Sequence, residues 1–405
     1  MRAGRALLAP AVCLYLIMFG VGLGADRGSS GMAQLTPVAF SDLPGWSGER
    51  QEEALSAFAL SCARLRAPVY AAAATGKKSN SLQAWTRICT QALSPDALLS
   101  GAGARRFFET NFSLYRVTLP GKARGFLTGY YEPEVEGSLE RSAAFPVPLY
   151  RRPDDLVTLK PSQAGHGLEP GLAAARRVKG GFEAYPTRAE IEAGALAGRG
   201  LELVYLRDPI EAFFIHIQGS ARVRLKDGEV MRLGFAAKNG HPYSSIGKVL
   251  IERGALSAAE MNTKRLRQWL AAHPDEAGEV MATNRSFIFF RAITVPDPTL
   301  GPIGAAGVQL TPQRSLAVDP AFHSFATPIW IDAELPDANG RTGPFRRLMI
   351  AQDTGSAITG AARGDIFFGT GAAASARAGR IRHEGDFLVL LPKGMPLPNW
   401  AVGGG

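Results

Sequence analysis

Cysteine is scarce in this 405-residue chain, with three residues at positions 13, 62 and 89. Neither C-x-x-C nor H-E-x-x-H occurs and the six histidines are dispersed, so no metal and no cofactor is expected. A basic run with interleaved aromatics is also missing. Arg and Lys are scattered despite a net charge of +9, which argues against nucleic acid as a partner. There is no internal repeat, and the 46 glycines follow no period, which excludes collagen. What is abundant is Gly together with 27 Pro, the composition of turn-rich β architecture, in a chain long enough for two or three domains.

Residues 1–24 have the anatomy of a secretory signal: Arg2 and Arg5, then an apolar stretch from Ala6 to Leu23. Small residues at Gly22 and Gly24 suit cleavage before Ala25. The rival is an uncleaved inner-membrane anchor, interrupted by Pro10 and Gly20. Cleavage would take the net charge from +9 to +7 by removing both arginines. Cys13 sits inside the apolar core with no lipobox around it. Export places Cys62 and Cys89 in an oxidising compartment, where such a pair forms a disulfide; two buried free thiols are the alternative.

Helical spacing is read over Glu49–Leu65 and Ser81–Leu93. Phe126–Tyr131 reads as a strand ending at Glu132-Pro133. Thr187-Arg188-Ala189-Glu190 is a capping box, which gives Glu190 and Glu192 a helix-terminus role. Leu203–Leu206 and Phe213–Gln218 read as strands, and Ala221–Leu225 with Val230–Leu233 as a hairpin. Helices are expected at Ser245–Arg253 and Ala258–Ala272, the second opened by Ser257. Further strands are expected at Phe287–Ala292, Val308–Leu310, Pro328–Ile331, Arg347–Ala351 and Phe387–Leu391. This pattern favours a mainly β protein, one or two β-barrels with short peripheral helices, over a doubly wound α/β fold.

Three aspartates carry the chemistry: Asp319 in A-V-D-P, Asp353 in A-Q-D-T-G-S-A-I and Asp365 in R-G-D-I-F-F-G. Each borders apolar residues, so strand ends would gather them. Carboxylates so placed repel one another, and one holds its proton strongly enough to be a general acid. D-T-G is also the signature of aspartic proteases; one copy excludes a pepsin-like chain and would require a homodimer. Thr128-Gly129-Tyr130-Tyr131-Glu132-Pro133 could place one tyrosine in a core and the other in a groove suited to a sugar. In Phe213–Ser220, alternation puts His216 and Gln218 on one face, with Gln218 projecting an amide before Gly219-Ser220. His216 itself reads as a structural histidine, and Lys238–Tyr243 as a polar groove rim.

T-G-Y-Y-E-P, H-I-Q-G-S, N-R-S-F-I-F-F at Asn284–Phe290 and the three-aspartate segment together resemble the membrane-bound lytic transglycosylase A family. The C-terminal part is similar to that family's three-aspartate, or 3D, domain. The resemblance runs from about Gly125 to Lys393. It implies a double-psi β-barrel interrupted by an inserted second β-barrel, with a glycan groove between them. The implied division is a signal at 1–24, helices and first barrel strands at 25–145, the insert at 146–282 and the remaining barrel at 283–405. It further implies Asp365 as catalytic acid/base with Asp353 and Asp319 in support, and Thr128, Tyr130, Tyr131, Glu132, Gln218 and Ser220 toward substrate. Ser356 departs from the second glycine that many members carry after D-T-G. The implied activity is non-hydrolytic cleavage of peptidoglycan to 1,6-anhydro-muramic ends by an exported, periplasmic monomer able to associate with other cell-wall enzymes. Outer-membrane association would be a further family trait, but there is no lipobox to support it. A hydrolytic glycosidase, a dimeric aspartic protease and a non-catalytic wall-binding module are the alternatives.

Overall fold

The computed structural model describes residues 33–65, 79–94, 101–159 and 168–403; the expected signal at 1–24 lies outside them. In chain order, β1 (Ala33–Val38) is followed by α1 (Gln51–Leu65), α2 (Ser79–Ala92) and α3 (Gly101–Asn111). Next come β2 (Phe112–Thr118), β3 (Gly125–Glu132), β4 (Glu134–Ser138), β5 (Val147–Tyr150), β6 (Leu156–Thr158), β7 (Ala174–Val178), β8 (Gly181–Ala184) and β9 (Glu202–Leu206). The middle of the chain holds α4 (Pro209–Gln218), β10 (Ser220–Arg224), β11 (Val230–Lys238), α5 (Ile246–Glu252), α6 (Thr263–Ala272), α7 (Pro274–Ala282) and β12 (Ile288–Ala292). The C-terminal part holds β13 (Ser315–Ala317), β14 (Pro328–Pro336), β15 (Thr342–Asp353), β16 (Arg363–Thr370), α8 (Gly371–Ala378), β17 (Arg382–Pro392) and β18 (Ala401–Gly403).

Six strands close on themselves in the order β14–β15–β13–β16–β3–β17 and back to β14. Two neighbour pairs, β13 with β15 and β16 with β3, are parallel and the others antiparallel, and the barrel is of the double-psi type. Its interior is filled by Leu127, Leu316, Ile329, Ile331, Met349, Ile366, Phe368 and Phe387, among others. The runs in β14, β15 and β17 are apolar on both faces for a physical reason. The alternate residues Trp330, Leu348, Ile350, Leu388 and Leu390 face outward under α1, α2 and α3. A disulfide between Cys62 and Cys89 staples α1 to α2. Buried Arg314 pairs with Glu49 and Glu53, fixing α1 against the barrel.

At Pro133 the chain leaves the barrel. β4 joins a second sheet, ordered β12–β11–β10–β4–β9–β5, whose edges meet through a bridge between Arg151 and Phe290. This second barrel thus starts at Glu134 and ends with β12 at Ala292, wider than the expected 146–282 at both ends. Its core is Leu149, Val204, Leu206, Ile215, Val223, Leu233 and Phe290.

Three expectations fail for local reasons. Phe213–Gln218 is helical, because Asp208 caps the N-terminus, Pro209 opens it and Gly219 closes it in the left-handed region. The helix expected from Ala258 begins at Thr263, capped by Asn262, while Ser257 and Glu260 close a separate turn. Val308–Leu310 forms no strand; it meets 301–304 through an isolated bridge from Gln309 to Ile303 and backbone hydrogen bonds with Gly301, Pro302 and Gly304. The capping box at Thr187 and Glu190 is present as read.

Candidate active site

Strand register assembles the site. Across β15, β13, β16 and β3, the residues Asp353, Ala317, Asp365 and Thr128 stand side by side. Within β3 and β16, Leu127, Tyr131, Ile366 and Phe368 point into the barrel. Alternation therefore turns Thr128, Tyr130, Arg363, Asp365 and Phe367 outward. The Tyr130 and Phe367 rings lie 5.2 Å apart. Gly129 faces inward, where a Cβ would come 2.9 Å from the Ala378 backbone, so glycine lets α8 close over β3.

Asp365 accepts a 2.6 Å hydrogen bond at Oδ1 from the Thr128 hydroxyl. Thr128 in turn accepts at 2.8 Å from Arg363 Nη2. Burial raises the Asp365 carboxyl to about 6; Arg363 and Thr128 oppose the shift, and the Asp353 charge adds to it. Like-charge repulsion, expected from the sequence as the leading cause, is thus secondary to burial.

Asp353 ends β15 and is held at both oxygens. Tyr130 donates to Oδ2 at 2.8 Å, and the Ala305 N–H donates to Oδ1 at 2.9 Å. Burial raises its pKa, and these donors, with the Thr354 N–H, pull it back. Burial and the neighbouring carboxylates push Tyr130 well above the usual phenol range, so its hydroxyl stays a donor. The Ala305 loop reaches Asp353 because Gly304 has no side chain: a Cβ there would sit 2.7 Å from the Gln352 carbonyl and 3.3 Å from Asp353 Cγ. Gln352 donates to Ala57 O and Ser61 Oγ at 2.8 Å each, tying this strand end to α1.

Asp319 stands apart from the other two. It accepts from Ala321 N at 3.0 Å and from Gly360 N at 2.8 Å, which clamps the loop joining β15 to β16. His323 grips the same loop, its Nε2 donating to Ala361 O at 2.6 Å. Burial lowers His323 to about 4, so it serves as a neutral structural donor.

Four more of the residues expected toward substrate lie where the two barrels meet. Glu132 is fully buried, bound bidentately by Arg232 at 2.8 Å, approached by Arg222 at 3.2 Å and by the Thr370 hydroxyl at 2.8 Å. Tyr131 is a core residue whose hydroxyl accepts from Arg267. Gln218, at the end of α4, spends its carbonyl on Tyr131 N at 3.0 Å, and Ser220 is buried at the start of β10. These side chains join the two barrels. His216 is buried, accepts from Ile288 N, and is held neutral by burial. Arg363 escaped the sequence reading, although its place two residues before Asp365 in a strand puts both on one face.

The six-stranded double-psi barrel with its inserted barrel thus bears one protonatable carboxyl beside an anchored one, an arrangement suited to general acid/base chemistry. The chain matches the MltA specific insert domain over residues 126–291 and the 3D domain over residues 314–391. Membrane-bound lytic murein transglycosylase A of Escherichia coli K12 is 34% identical over 268 residues, 65% of this chain. The match spans 64% of that relative's length. A crystal structure of membrane-bound lytic murein transglycosylase from Agrobacterium tumefaciens is 38% identical, with a TM-score of 0.78 over 89% of this chain and 98% of that one. The structure of E. coli MltA with bound chitohexaose is 27% identical, with a TM-score of 0.62 over 85% and 90%. The chain belongs to the membrane-bound lytic murein transglycosylase A family. Among the described residues no helix is long and apolar enough to cross a membrane.

Proposed function

We propose that the protein is a peptidoglycan lytic transglycosylase with Asp365 as its single acid/base. Protonated Asp365 donates to the glycosidic oxygen between N-acetylmuramic acid and the next N-acetylglucosamine, and the C1–O4 bond breaks. The resulting carboxylate then takes the proton of the muramic C6 hydroxyl, and O6 closes on C1. The products are a free 4-hydroxyl and a 1,6-anhydro ring, with no water consumed and Asp365 reprotonated.

The observation that carries this reading is the unequal occupation of the two carboxyls. Both side chains are partly accessible, but both Asp353 oxygens are held by donors, whereas Asp365 is bonded at Oδ1 alone among the described residues. An ordinary glycosidase needs a second carboxylate free to act as nucleophile or base. Asp353 is instead suited to bracing Tyr130 and the Ala305 loop, and Asp319 to bracing the β15–β16 loop. Tyr130 is the proposed sugar contact, since its ring shares the outer face with Asp365. The relative with bound chitohexaose supports a β-1,4-linked amino-sugar ligand.

Export to the periplasm forms part of the proposal, supported by the Cys62–Cys89 disulfide and by relatives named as membrane-bound. Action as a monomer is included in the proposal too. Mass spectrometry of a sacculus digest is the test. Products one water lighter than hydrolysis fragments are expected, and Asp365→Ala should abolish them with the fold intact. Hydrated reducing ends alone would overturn the assignment in favour of a hydrolase. Binding without any release would favour a wall-binding module.

A further inference from the structure

We infer that Arg363 is a positioning residue: through Thr128 it decides which oxygen of Asp365 carries the transferable proton. The inference rests on Asp365 being the acid/base. A guanidinium has donors only, so the 2.8 Å contact from Arg363 Nη2 occupies a lone pair of Thr128 Oγ1. An oxygen accepting from a cation becomes a poorer acceptor, and its own proton a better donor. Thr128 therefore donates to Asp365 Oδ1, and the carboxyl proton is left to Oδ2, which has no hydrogen-bond partner among the described residues.

Arg363 is itself held in place. Its Nη1 donates to Gly364 O, and its guanidinium carbon lies 5.2 Å over the Phe126 ring. Among the described residues it makes no direct ion pair with Asp365; the hydroxyl stands between them. Direct pairing would favour the carboxylate strongly and remove the acid. The relay gives a graded effect instead. It leaves the proton in place before bond cleavage and supplies a charge-assisted donor once the proton has gone. Burial lowers the Arg363 pKa, yet it remains a cation in any physiological range. The other groups around Asp365 are Asp353 from β15 and Tyr130 from β3. β13 contributes uncharged Ala317, and β17 brings Arg382 into register with Thr128.

The test is the titration of the Asp365 carboxyl in protein labelled with carbon-13 at the aspartate carboxyls, its signal assigned by loss in Asp365→Asn. Arg363→Met and Thr128→Val should each move the midpoint upward by about one pH unit. Thr128→Ser should restore it, and Arg363→Lys, which keeps the charge, should restore it in part and guards against misfolding. In the Thr128→Val background, Arg363→Met should shift the midpoint by less than half as much. Turnover should show the same signature: in Arg363→Met a kcat lower by about tenfold, a high-pH limb displaced upward, and KM within about twofold of wild type. An unmoved titration, an additive double variant, or a raised KM with an unchanged pH profile would each overturn the inference. The titration needs no turnover. Absence of anhydro ends from the wild-type protein would therefore sink the proposed function without being mistaken for failure here.

Discussion

Replacing Asp365 with Asn should stabilise the protein at neutral pH while abolishing its activity. The folded carboxyl titrates at about 6 against an ordinary 3.8, because burial disfavours its charge more than Arg363 and Thr128 favour it. That difference corresponds to about 3 kcal/mol. The sign follows from a raised folded pKa. Below pH 3.8 both states are protonated and there is no cost. Between 3.8 and about 6 the unfolded chain ionises first, and above 6 the whole penalty falls on the fold. An amide of the same shape never ionises. Asp365→Asn should thus gain about 3 kcal/mol at pH 7.5, which for a domain of this size raises melting by roughly 6–12 °C. At pH 4 most of that gain should be gone. Scanning calorimetry of both proteins from pH 4 to 8 measures it. Equal melting temperatures at pH 7.5, or a gain of the same size at pH 4, would refute the reasoning.

Two further perturbations address the frame around the site. Glu132→Gln leaves Arg232, and in part Arg222, as buried cations without a counter-charge, and should cost about 3–5 kcal/mol by urea unfolding. Adding Arg232→Met should recover part of that loss; a further loss would show that the charge pair is not what matters. Reducing the Cys62–Cys89 bond frees a 27-residue separation in the unfolded chain and should cost about 3.5 kcal/mol, read as a lower denaturation midpoint with reductant. An unchanged midpoint would mean that α1 and α2 hold together without the staple.

The barrel strands were legible where their residue pattern reflects what covers them. The apolar runs at Leu348–Ala351 and Phe387–Leu390 lie between the barrel interior and α1–α3, and both faces had to be apolar. The β1, β2 and α3 segments carried no pattern strong enough to be read. β1 and β2 extend the sheet outside the closed barrel, so they are specified by pairing with neighbours remote in sequence. The segment Phe213–Gln218 was misread because its successive buried residues Phe213, Phe214, Ile215 and His216 have no period, and the deciding signals, Asp208, Pro209 and Gly219, lie outside it. Glu132, Gln218 and Ser220 were credited to substrate because the resemblance implied it. Glu132 and Ser220 are buried and Gln218 is half-buried, because Pro133 sends the chain from one barrel to the other and makes the neighbouring polar groups the junction.

The same logic explains why the acid sits where it does. Of the six barrel strands, β14, β15 and β17 are roofed on their outer faces by helices, as Trp330, Leu348, Ile350, Leu388 and Leu390 show. On β3 and β16 the outward positions read Phe126-Thr128-Tyr130 and Arg363-Asp365-Phe367, aromatic and polar side chains that lie outside the core under α1, α2 and α3. A carboxyl at such a position borders the close-packed barrel on one side and a partly exposed outer face on the other. It is buried enough to hold its proton near pH 6, yet open enough to pass it on. Moving Asp365 one residue along β16 would turn it into the barrel, where its charge would have no partner. The parallel pairing of β16 with β3 then places Thr128 directly beside it, and the Arg363 relay follows from that register. The chemistry of the site is therefore set by which strand faces lie outside the core under α1, α2 and α3, and its protonation by the strand that pairs there.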